Sequence, residues 1–144
     1  MKKQIVIDTI ACLLIMLFLY ASFSKYADYT AYQRAMYNQP FKHWFATLLL
    51  LLIPPVEILI AIILMIPKTK LAGFYAAFSI MGLFTVYVAA VLLHFFGRVP
   101  CSCGGVIRLL NWQQHLVFNL LFIAIAGLGI YLKRTSECEM NNDQ

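Results

Sequence analysis

The sequence predicts an all-α membrane protein, a four-transmembrane-helix bundle with a short interfacial helix between spans 1 and 2. Hydrophobic residues make up 62% of the 144 positions and charged residues only 12%, a balance that suits no ordinary soluble domain. The apolar residues also gather into four long runs, Ile5–Phe23, Trp44–Ile66, Leu71–Phe96 and Leu116–Leu132. A hydrocarbon core roughly 30 Å thick takes about 20 apolar residues at a rise of about 1.5 Å each. Each run meets that length or reaches it with flanking residues, which places the spans at about 5–24, 44–66, 71–96 and 114–133.

Little is left over. A polar link runs from Ser24 to His43, a tight turn from Pro67 to Lys70, a second link from Gly97 to Gln114, and an acidic tail over 135–144. None of these is able to bury a core of its own, so residues 1–134 read as one transmembrane domain and the tail as a cytoplasmic appendage. Met1-Lys2-Lys3 before an apolar stretch that ends in Ala21-Ser22 also has the outline of a secretory signal, but Asp8 interrupts the apolar region. Span 1 is therefore expected to be retained; its cleavage would leave the other three spans unchanged.

A net charge of +5 raises nucleic acid as a partner. The eleven Lys and Arg are scattered over every loop rather than gathered on one face, which argues against it and for the anionic headgroups of a lipid bilayer. With the N-terminus cytoplasmic, Lys2, Lys3, Lys68, Lys70, Lys133 and Arg134 lie inside, against Lys25, Arg34, Lys42, Arg98 and Arg108 outside. The inside charges crowd the span ends, so the positive-inside rule predicts an N-in, C-in protein of the bacterial inner membrane.

Along the first link, tyrosines at 26, 29, 32 and 37 alternate with polar residues, the pattern of a short helix lying in the interface with its rings at headgroup level. An aromatic belt is the plainer reading of them and contact with a substrate the sharper one. In span 2, Pro54-Pro55 removes two backbone donors, so the helix must kink or unwind locally and the freed carbonyls need partners inside the bundle. Glu57 follows within one turn. A carboxylate at that depth faces protein or water, either in a structural hydrogen bond across helices or in a proton or ligand role. In span 3, Ala72, Gly73, Ala76, Ala77, Ser79 and Gly82 form a stripe of small residues that lets a neighbouring helix approach closely.

The four cysteines separate by position. Cys12 reads as a small buried apolar residue and Cys138 as a reduced thiol in the tail. Cys101 and Cys103 sit in the external link, in Val99-Pro100-Cys101-Ser102-Cys103-Gly104-Gly105, where they meet an oxidising compartment. A disulfide across one intervening residue closes a small, strained ring that is easily reduced, which suits a redox-active pair better than a staple. Gly104-Gly105 permits the backbone turn and leaves the sulfurs open. Thiol attack requires thiolate, and His94, Arg98, Arg108 and His115 gather at the external ends of spans 3 and 4 to favour it. The plainer alternative is a cysteine pair with no turnover. A zinc or copper site from Cys101, Cys103, His94 and His115 matches no standard spacing, so no metal is expected. His115 and Asn119, four residues apart, share one face of span 4 just inside Trp112. They read either as an interhelical hydrogen bond or as a proton shuttle or quinone-headgroup site.

At these residues the sequence resembles the MauE/DoxX superfamily of four-helix membrane proteins, and most closely its MauE-type, redox-associated branch. Tyr20-Ala21-Ser22-Phe23-Ser24-Lys25-Tyr26-Ala27-Asp28-Tyr29 resembles the family's stretch of small residues, Lys and an acidic position. Pro54-Pro55-Val56-Glu57 resembles its Pro-x-x-Glu pattern. Cys101-Ser102-Cys103-Gly104-Gly105, with Trp112, His115 and Asn119, resembles the cysteine-containing external loop and the helix after it. The resemblance implies thiol–disulfide chemistry with a periplasmic thioredoxin-fold partner, known best from maturation of methylamine dehydrogenase. Similarity to quinone-linked disulfide-forming membrane enzymes suggests a quinone, although those relays use two external cysteine pairs and this chain has one; the exchange itself requires no cofactor.

The resulting expectation is a thiol–disulfide redox protein that works through Cys101 and Cys103, with His94, Arg98, Arg108, Trp112, His115 and Asn119 in support. Two other readings compete with it. One is a non-catalytic subunit or assembly scaffold that docks an envelope partner, and the other a small transporter centred on Glu57.

Overall fold

The computed structural model describes residues 2–93 and 112–142. They form five helices, α1 (Lys2–Ala27), α2 (Tyr29–Tyr37), α3 (His43–Met65), α4 (Lys70–Leu92) and α5 (Trp112–Asn142), with no strand among the described residues. All but α2 are long and apolar enough to cross a bilayer, and α2 occupies the place of the expected interfacial helix. The architecture is the all-α membrane bundle that the composition called for.

The first helix runs past the end of its apolar stretch, so Ser24 and Lys25 belong to α1 and not to a loop. It stops at Asp28, whose φ of −131° leaves the helical region and whose carboxylate accepts the Ala31 N–H at 3.1 Å, capping α2. One face of α2 then buries Tyr32, Ala35 and Met36, the spacing of three and four that a helix presents on one side. Tyr32 and Met36 pack against Ala46 and Leu50 of α3. The tyrosines therefore do not act alike: Tyr26 and Tyr29 are exposed, Tyr37 stacks on His43 at 4.4 Å, and Tyr32 is buried in protein rather than held at headgroup level.

The prolines sit inside α3 without interrupting it. Pro54 has no N–H to give the Leu50 carbonyl four residues back, and the Tyr32 hydroxyl donates to that oxygen at 3.4 Å in its place. The partner for a freed carbonyl thus comes from α2, as the bundle interior demands. After Ile66-Pro67, Thr69 Oγ1 donates to the Ile63 carbonyl at 3.0 Å and closes the turn into α4.

The four long helices form a ring in the order α1, α3, α4, α5, each packed on two neighbours. Ile7 and Leu14 of α1, Leu64 of α3, Phe74 and Ala77 of α4 and Ala126 of α5 are completely buried at its centre. Lipid is as apolar as these side chains, so the ring is held by close packing rather than by escape from water. Two glycines show it: a Cβ on Gly73 would lie 2.9 Å from Leu64 Cγ, and one on Gly129 would lie 2.8 Å from the Phe74 ring. Only part of the expected small-residue stripe packs in this way. Gly73 and Ala77 are buried, whereas Ala72 and Ser79 are exposed and Gly82 has open space where a side chain would go. Outside the ring Leu83, Val86, Leu93 and Val117 are two-thirds exposed or more, a surface suited to acyl chains.

The fifth helix is the longest, at 31 residues. Its apolar part ends near Leu132, and the polar segment after it continues as helix, with Lys133 near Glu137 at 3.4 Å. Glu139 pairs with Lys3, and Asp8 with Lys70 at 2.6 Å, so both chain ends and the α3–α4 turn meet at one end of the bundle. α2 and the ends of α4 and α5 that flank residues 94–111 lie at the other.

Candidate functional site

Cys101, Cys103, His94, Arg98 and Arg108 lie outside the described residues, as does the side chain of Trp112, which opens α5. Their place in the chain is bounded by Leu93, which caps α4, and by the first turn of α5. Beneath that end of the bundle the structure assembles a polar group from α1, α2, α3 and α5.

Its centre is an ion pair. Glu57 is 3% exposed, and Lys25 Nζ donates to its Oε1 at 2.6 Å. Glu57 lies about 21 Å along α3 from His43 and about 12 Å from Met65, well within the span. Lys25 arrives there because helical side chains lean toward the N-terminus and its long stem follows α1 back into the bundle, with Nζ also donating to the Ala21 carbonyl at 3.3 Å. One turn earlier Ser22 Oγ donates to the Pro54 carbonyl at 3.2 Å, a second tie between α1 and α3. From α2 the Tyr32 ring covers the ammonium, its centroid 5.9 Å from Nζ. Isolated charges at this depth cost several kcal/mol each, and a pair repays that only when its remaining polar atoms are also satisfied. Glu57 Oε2 is buried without a hydrogen-bond partner among the described residues.

From α5, His115 is half-buried and near enough to Lys25 for the two charges to act on one another. Asn119, one turn deeper on the same face, is 5% exposed and its Nδ2 also has no partner among the described residues. The expected interhelical hydrogen bond from Asn119 Nδ2 is therefore not made among the described residues.

Glu57 is buried inside the bundle. Lys25 is corrected from an external loop charge to a buried partner of Glu57, because its backbone belongs to α1 and its side chain points inward. The sequence held a signal for it, since an intramembrane carboxylate demands a compensating charge and Lys25 lies half a turn past the apolar run. Cys12 is corrected as well: it is exposed on the outside of α1, not buried in protein, and Cys138 is exposed on α5. Among the described residues no three His, Cys, Asp or Glu converge as metal ligands. The grouping of Cys101, Cys103 and His94 with His115 falls largely outside them.

No curated protein and no solved structure matches the chain. The profile of the family described as "Methylamine utilisation protein MauE" matches residues 3–132, from the first turn of α1 to the last apolar turn of α5. A match over nearly the whole bundle decides the assignment: the chain belongs to the MauE family, as a multi-pass membrane protein.

Proposed function

We propose that this chain is a thiol–disulfide redox protein of the bacterial inner membrane, exchanging electrons between Cys101 and Cys103 and a periplasmic thioredoxin-fold partner. Maturation of methylamine dehydrogenase, or of a similarly disulfide-rich protein, is the setting the family description favours. The observation that supports the reading is that the described ends of α4 and α5 lie at the end of the bundle opposite Lys3 and Glu139, and both cysteines fall in the stretch of sequence between those two helices. Reassigning Lys25 to the buried pair supports that sidedness: Arg34, Lys42, Arg98 and Arg108 remain outside, against six basic residues inside.

The exchange balances without a further reagent. One cysteine thiolate attacks the partner's disulfide, forming a mixed disulfide and releasing one partner thiolate; the second cysteine then attacks the mixed bond. The partner leaves as a dithiol carrying two electrons, and Cys101–Cys103 is left oxidised. The reverse sequence reduces the chain and oxidises the partner. Arg98 and Arg108 supply positive charge that favours the thiolates.

A quinone needs hydrogen-bond donors for its carbonyl oxygens, and the unpartnered Asn119 Nδ2 is one of the right kind, so the residues fit such a group. Asn119 and His115 would hold it, and it would supply a two-electron acceptor.

The test is trapping. With Cys101→Ser or Cys103→Ser the resolving thiol is gone, and one of the two variants is expected to accumulate an adduct with an envelope protein that dithiothreitol dissolves. Absence of an adduct from both variants, with both native cysteines inert to thiol reagents, overturns the reading. If the double serine variant keeps both assembly and function, the loop is a docking element.

A further inference from the structure

The thiol chemistry makes no use of the buried pair. Three observations show that the pair is more than a bolt between α1 and α3. First, among the described residues Lys25 is the ion-pair partner of Glu57. α2 contributes only the Tyr32 ring and hydroxyl, the latter donated to Leu50, and α5 contributes the half-buried imidazole of His115. α4 brings no charge to this level: its Lys70 pairs with Asp8 at the other end, Tyr75 is exposed, and Tyr87 donates to Gln39 beside α2. Second, buried carboxylate oxygens are normally hydrogen-bonded, and Glu57 Oε2 has no partner among the described residues. Third, Asn119 of α5, one turn deeper than His115, is 5% exposed and its Nδ2 has no partner among the described residues, so the bundle interior holds both an unused acceptor and an unused donor. The smallest species that both donates and accepts is water, which also delivers protons.

We propose that Glu57 is a proton-binding site inside the membrane, exchanging its proton with water held against Oε2 while Lys25 remains the fixed cation beside it. The step balances as carboxylate plus proton giving carboxylic acid. It changes the net charge of the buried pair from zero to plus one, with the Tyr32 ring facing the ammonium that remains. The Ser22–Pro54 bond and the Tyr32–Leu50 bond hold α1 and α2 in place around the pair, on the α1–α3 seam.

Dicyclohexylcarbodiimide tests it. This apolar reagent adds to protonated carboxyl groups within membranes and leaves an N-acylurea that peptide mass spectrometry locates. With the full chain in lipid vesicles, labelling at Glu57 is expected to rise several-fold on acidification, while the exposed Glu137 stays weakly labelled. In Lys25→Met the cation beside Oε1 is gone, and labelling of Glu57 at neutral pH is expected to rise above wild type. Labelling of Glu57 in the wild-type chain that does not change across the pH series overturns the proposal. That arm decides the matter alone if Lys25→Met fails to fold, and neither arm depends on the cysteines.

Discussion

At the scale of single residues, Lys25 and Glu57 dominate the energetics because each makes the other tolerable. Removing one partner leaves an uncompensated buried charge, which costs about 3–5 kcal/mol, whereas replacing both with apolar residues of similar volume is often neutral. Lys25→Met is therefore expected to lower stability by about that amount in a detergent-solubilised denaturation series, and Lys25→Met with Glu57→Leu to recover most of it. A double variant as unstable as the single one would show that the pair is not the source of the loss. Glu57 was legible in the sequence because a charge inside an apolar run stands out. Lys25 gave a weaker signal, because it lies just beyond the run and only the inward lean of its side chain returns it to the bundle. The bond from Tyr32 was equally hidden, since four similar tyrosines in one polar segment give no sign of which one turns inward.

Among the elements, the telling junction is α2 on α3. The Tyr32 hydroxyl serves a carbonyl that is bare only because residue 54 is proline. Leaving a buried acceptor unsatisfied costs about 1–3 kcal/mol, so Tyr32→Phe is expected to destabilise the protein by that much. In a Pro54→Ala background, where the residue 54 N–H reaches Leu50 itself, the same substitution should cost far less. A double-mutant cycle reads this directly, and an unchanged Tyr32→Phe penalty would refute the account of how the proline is accommodated. The existence and order of the helices followed from length and hydropathy alone, as did the Pro67–Lys70 turn. Which small residues of α4 pack did not, because Gly73 and Gly82 look alike until the ring assigns one to Leu64 and the other to the outside. The same ring gives Gly129, unremarked in the sequence, its place under Phe74.

Taken whole, the molecule is a ring of four helices whose two ends differ in character. Both chain ends and the α3–α4 turn meet at one end through Lys3–Glu139 and Asp8–Lys70, while α2 and the flanks of residues 94–111 occupy the other, above the buried polar group. This division follows from the even number of spans, which is why it was readable from the sequence. The proposed chemistry rests on a motif and a family likeness, since the reactivity of a cysteine pair is set by its surroundings. Cysteine accessibility tests the division most directly. In intact spheroplasts, after mild reduction, a membrane-impermeant maleimide should label Cys101 and Cys103 and leave Cys138 untouched until the membrane is opened. Labelling of Cys138 with protection of Cys101 and Cys103 would contradict the account, for it would put the cysteine pair on the reducing side.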